Sequence, residues 1–193
     1  TSIDIKSGVA AGSHNLTLEA DTLAVAGSST ADAGVGVTLR TQTADRTIGL
    51  AGGAGDTSIS QATLNALGGA SGFRSITVGA GNGAIVANAL GLSTALILNA
   101  GTADITLAGI TGAGFDLSLN STGTTTLGGA ITGVDALTTN AGGTTAINAN
   151  VSATTQTYND GITLGGTAGE ARTLSGTSID IKSGVAAGSH NLT

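Results

Sequence analysis

The sequence predicts an all-β fold: a parallel β-helix, a solenoid of about nine coils of roughly 20 residues per 176-residue unit. Three observations carry this reading. The stretch 1–17, TSIDIKSGVAAGSHNLT, returns without one change at 177–193. Short alternating apolar and polar runs recur at sequence offsets of 20 and 21. The chain has 33 glycines and no proline.

The long repeat sets the organisation. Its offset of 176 makes Thr1–Gly176 one complete unit (1–176), with 177–193 the start of the next identical one. Near-identical units in series signal a quasi-one-dimensional architecture in which each element contacts only its neighbours. The expected partners are therefore further copies of the same repeat, end to end.

The short repeat sets the coil. Apolar triplets begin at Ile76, Leu96, Leu117 and Leu137, spaced 20, 21 and 20 apart, and earlier at Leu16 and Val37, 21 apart. The stretch 117–133 aligns with 137–153 at offset 20, so that Leu127 meets Ile147 and Ile131 meets Val151. Alternation reads as strand, and the Gly and Asn between runs read as turns. Strands of three to five residues are too short to stand alone. Stacked coil on coil, about 4.8 Å apart, they gain hydrogen-bonded neighbours above and below. Proline would remove a ladder hydrogen bond, so a chain built only of coils avoids it.

Asn99, Asn120 and Asn140 share one coil position, directly after the triplet, and are expected to form a structural ladder along the axis. The segment 58–69, SISQATLNALGG, breaks the alternation. Here Ser60 is placed to cap a short helical turn closed by Gly68. Ser60, Gln61, Leu64 and Leu67 are read as a surface excursion from one coil.

Composition narrows the function classes. The formal charge is −6 with six Lys or Arg, which provides no basic stripe for nucleic-acid phosphates. There is no apolar run of transmembrane length, so no membrane insertion is expected in this segment. With no Cys, disulfide frameworks and thiolate metal sites are excluded. The core has to come from Ala, Leu, Ile and Val, because the chain holds one Tyr, two Phe and no Trp.

No catalytic, cofactor or metal site is expected. His14, repeated as His190, stands singly at a turn, and the eleven acidic residues of the unit are spread along it. Asp4, Glu19 and Asp21 come nearest to the paired carboxylates that a polysaccharide-cleaving β-helix would need. Gly52-Gly53-Ala54-Gly55-Asp56 approximates a calcium-binding glycine repeat, but its Asp comes one residue early and the motif occurs once. Thr124–Thr126, Thr144-Thr145 and Thr154-Thr155 suggest a Thr row of the ice-binding kind, although outward Thr is also the ordinary polar residue of an exposed strand.

TTQTYNDGITLGG (154–166), the LxxNAGG-type coil starts and the stretch from RTIGLAGG to SISQATLNAL (46–67) resemble repeats of large exoproteins of the filamentous haemagglutinin type. The resemblance implies a right-handed β-helical shaft, export to the bacterial cell surface or the extracellular space, and a role in adhesion, aggregation or biofilm formation. It carries no catalytic residues. The expectation is a structural shaft and not an enzyme. The competing reading is a binding module for a glycan or another cell-surface ligand, followed by the ice-binding and polysaccharide-active alternatives.

Overall fold

The computed structural model describes residues 1–79, 81 and 83–193. They form a parallel β-solenoid of about nine turns, nearly all β. Each turn has three sides. The first side holds the longest strands: Leu16–Glu19, Gly36–Arg40, Ser75–Val78, Ala95–Gly101 and Leu117–Ser121, then the later parts of Ile131–Thr139 and Val151–Tyr158, and last Ser178–Ile181. Its register runs Leu16, Val37, Ile76, Leu96, Leu117, Leu137, Gln156, Ile179. The apolar triplets read from the sequence are therefore stacked residue upon residue.

The second side stacks Ile48–Leu50, Ile85–Ala87, Ile105–Leu107, Thr124–Leu127, Thr144–Ile147, Gly161–Leu164 and Val185–Ala186. The third is narrower, beginning with Leu90–Gly91 and Ile110–Thr111 and continuing through Ile131, Val151 and Leu174. Leu127 lies over Ile147 and Ile131 over Val151, as the alignment at offset 20 requires.

Alternation puts every second residue of a strand inside. On the first side Leu39, Val78, Leu98 and Leu119 are wholly buried, and on the second Leu50, Leu107, Leu127 and Ile147 match them. Each such aliphatic side chain contributes about 1.5–3 kcal/mol relative to exposure. Its inward neighbours are supplied by the coils above and below, so stability accumulates along the axis.

One winding departs from the regular coil length. Val37 pairs directly with Ile76, and Ile48 with Ile85, each nearly two ordinary coil lengths further along the chain. The added chain is used inside the stack. After Ile48–Leu50 it doubles back so that Thr57–Ile59 pairs beneath that strand, Ile48 opposite Thr57 and Leu50 opposite Ile59. A seven-residue helix, Gln61–Leu67, then follows. The regular spacing expected of every coil is thus replaced at this level by a double layer on the second side and a helix on the third.

Candidate functional site

The helix forms where its capping signals predict. Ser60 Oγ accepts from the Thr63 N–H at 3.1 Å, and the Gly68 N–H donates to Leu64 O at 2.9 Å. The expectation that this segment projects from the surface needs correcting. Leu64 and Leu67 are buried at 3% and 0% exposure, and with Thr63 they face the core. An amphipathic turn whose apolar residues match the stripe of the neighbouring coils gains more by lying in the stack than by leaving it.

The helix occupies a strand's place on the third side, and its flanking strands are satisfied by unusual partners. On one flank Val25 N–H donates to Thr63 Oγ1 at 3.4 Å, Ser29 N–H to Ala66 O at 2.7 Å and Ala31 N–H to Ser71 O at 2.9 Å. On the other, Gln61 Nε2 donates to Gly91 O at 2.8 Å while Gly91 N–H donates to Gln61 Oε1 at 3.0 Å. A side-chain amide here stands in for the missing peptide group. The residues needed for this are Gln61 and Thr63, of which the sequence reading singled out only Gln61, as part of an excursion.

Several acidic and Asn side chains act as staples between layers. Asn15 Oδ1 accepts from Gly36 N–H at 2.9 Å, Asp104 Oδ1 from Thr124 N–H at 2.7 Å and Asp116 Oδ1 from Ala136 N–H at 3.1 Å, each about one coil away. Asp160, almost fully buried, accepts from Gly143 N–H at 3.0 Å and Thr145 Oγ1 at 3.3 Å. These bonds cap the backbone at corners, where the strand ladder is interrupted.

The Asn series behaves in part as the same kind of staple. Asn99 and Asn120 are register partners in the first-side ladder. Asn140 turns its amide to the backbone, Oδ1 accepting from Ser121 N–H at 2.7 Å and Nδ2 donating to Ala141 O at 3.1 Å.

The three carboxylates that came nearest to a catalytic group each have a partner of their own. Asp4 pairs with Lys6, and Glu19 with Arg40. Asp21 accepts from Thr43 N–H at 3.0 Å and Thr43 Oγ1 at 2.9 Å, with Thr1's amino group at 3.5 Å and Arg46 Nε at 3.9 Å. The Thr43 backbone N–H, foremost, holds the Asp21 carboxyl below its ordinary value. A cleft of about 370 Å³ runs beside Glu19, Arg40, Asp45 and Arg46. Among the described residues no three His, Asp or Glu side chains gather at metal-binding distance.

Within the run 52–55, Gly53 and Gly55 are accounted for by packing, as is nearby Gly49, while Gly52 takes a positive φ of 86°. A Cβ on Gly49 would lie 2.0 Å from Gly53 O, one on Gly53 2.0 Å from Val86 O, and one on Gly55 2.3 Å from Gly49 N. These glycines let the doubled layer fold against its neighbours, and Asp56 Oδ2 closes the fold-back by accepting from Thr47 N–H at 3.3 Å.

No family model, curated protein or solved structure matches the chain. Its reading therefore rests on its own geometry. The Thr row is divided by the alternation: Thr125 and Thr145 point into the core at 0% exposure, while Thr124, Thr126 and Thr144 are half-buried. Two further polar features escaped the sequence reading. Gln156 occupies an aliphatic position of the first-side column, donating to Ser175 O at 2.9 Å and accepting from Tyr158 Oη at 2.8 Å. Arg172 is buried on the third side, donating to Gly165 O at 2.9 Å and paired with Glu170 at 2.9 Å. The only available signal for both was a polar residue at a position whose neighbours one coil away are apolar.

Proposed function

We propose that the chain is a segment of the structural shaft of a bacterial cell-surface or secreted fibre of the filamentous haemagglutinin type. As such a shaft it supports adhesion, aggregation or matrix formation and is not an enzyme. One observation carries the reading: the copy of 1–17 at 177–193 is laid down as one more layer on the stack, pairing with Thr155–Tyr158, Gly161–Leu164 and Ala171–Arg172. Adding sequence adds length without a new kind of contact. That is the property a shaft needs, because its stiffness comes from continuous axial hydrogen bonding and its reach from the number of layers.

The test is a pair of measurements on the purified chain. As a shaft it resists proteolysis and gives no saturable binding to bacterial cells, host cells or a panel of surface glycans in surface plasmon resonance. Saturable binding that is lost on replacing exposed residues of the helix layer, such as Ala62→Arg, would replace the shaft by the binding module. Hydrolysis of any glycan in the panel, abolished by Glu19→Gln or Asp21→Asn, would make it an enzyme.

A further inference from the structure

We infer that a second copy of the unit joins this one by seating its first residues where Thr177–Thr193 sit, and that the join turns each unit by one side of the coil relative to the unit before it. The inference rests on the shaft reading and adds the geometry of the junction.

The two copies of the repeated segment have the same local fold. Ser2–Ile5 and Ser178–Ile181 are both strands, Asp4 pairs with Lys6 as Asp180 does with Lys182, and His14 N–H donates to Ala11 O as His190 N–H does to Ala187 O. Gly12 and Gly188 share a positive φ, 55° and 57°.

They lie on different sides of the solenoid. In the first copy Leu16–Glu19 is on the first side, stacked on Gly36–Arg40. The next strand along the chain, Thr22–Val25, takes the second-side position, packed against Thr57–Ile59, and Ser2–Ile5 pairs with it. The first strand of the unit is thus on the second side. In the second copy the equivalent strand, Ser178–Ile181, is on the first side against Thr155–Tyr158. Val185 follows on the second side over Ile162, and Leu192 on the third over Arg172. Over one whole unit the chain therefore stops one side short of a whole number of windings.

The turn breaks no internal pairing. Among the described residues Ser178–Ile181 presents an unpaired edge, identical in sequence to the one that Ser2–Ile5 offers to Thr22–Val25. The terminal layer also exposes Ile179, Val185 and Leu192 at 40%, 41% and 37%, whereas Ile3, the counterpart of Ile179, packs against the core. The next residues of a second unit would cover them. Three units in succession bring the helix layer back to its starting side.

Two experiments test this. The chain has no Cys, so engineered pairs report directly on register. In the present chain, Thr157→Cys with Asp180→Cys should form a disulfide, because these are ladder partners. A bond between Thr163→Cys and Asp180→Cys instead would place the copy on the second side, as in the first unit, and overturn the turn. The second experiment is a cryo-electron microscopy map of a chain in which Thr1–Gly176 is followed directly by the whole present sequence. One continuous rod with its two helix layers on adjacent sides supports the inference. A continuous rod with both layers on the same side defeats it and leaves the shaft intact, and two rods without a common axis defeat both.

Discussion

Gln61 and Gly91 exchange two hydrogen bonds, side-chain amide to peptide, across the boundary where a helix meets a strand edge. Gln61→Ala removes both and leaves the Gly91 peptide to water, at a cost of about 1 kcal/mol. Gln61→Glu is the sharper probe. It keeps an acceptor for Gly91 N–H but sets a carboxylate oxygen against the Gly91 carbonyl. Urea unfolding followed by circular dichroism should show the Glu variant weaker than the Ala variant at pH 7, with the order reversing below about pH 4, where the carboxyl protonates.

Thr125 and Thr145 are register partners with opposite expected responses. Both are fully buried. Thr145 Oγ1 donates to Asp160, whereas Thr125 Oγ1 has no hydrogen-bond partner among the described residues. Thr125→Val should therefore stabilise by about 1 kcal/mol, and Thr145→Val, which strips a buried carboxylate of a donor, should cost about 1–3 kcal/mol. Thermal melts of the two variants check the sign of each.

Tyr158 links folding to alkaline pH. Burial pushes its phenol well above the ordinary value of 10.0. A folded value raised above the unfolded one means that stability is complete below about pH 10 and is lost as pH rises beyond it, by about 1.4 kcal/mol per pH unit. It is the only Tyr in the chain, so tyrosinate absorbance is unambiguous. Ionisation should appear only together with the loss of strand circular dichroism. Tyr158→Phe should abolish the pH dependence contributed by this group, while costing about 1 kcal/mol through the lost bond to Gln156.

Gly53 and Gly161 separate close packing from mere flexibility. Gly53→Ala drives a methyl into Val86 O and should cost about 2–3 kcal/mol. At Gly161 nothing lies within 4 Å of an added Cβ, and Gly161→Ala should fall within about 0.5 kcal/mol of the parent. If Gly53→Ala proved harmless in urea unfolding, the packing account of the glycine run would fail.

The stack was legible because each winding offers the same environment as the one below it and so demands similar side chains at that interval. Leu96, Leu117 and Leu137 announce their column for that reason. The doubled layer was not legible, since Ile48 and Thr57 pair across a short fold-back that obeys no period. Ser60 and Gly68 marked the ends of the helix correctly, but capping residues specify where a helix stops and not what it packs against. Asn140 illustrates a similar limit: spacing placed it at the ladder position, while the direction of its amide was decided by an unpaired backbone N–H at Ser121. Inward Thr125 and outward Thr126 look alike in composition and differ only by the phase of their strand.

The extra rung at Thr57–Ile59 has a mechanical consequence. From Leu16–Glu19 to Ser75–Val78 the first side climbs two hydrogen-bonded steps without a gap. Over the same winding the second side carries one layer more, and the third must clear a helix about 10 Å thick in place of a strand. With rungs about 4.8 Å apart, two flanks of the column outgrow the remaining one, like a wedge set into masonry. Such a wedge would tilt the tower there, away from its taller flanks. A wedge repeated always on one flank would curl a long fibre into an arch, whereas wedges distributed in rotation over all three cancel and keep it upright.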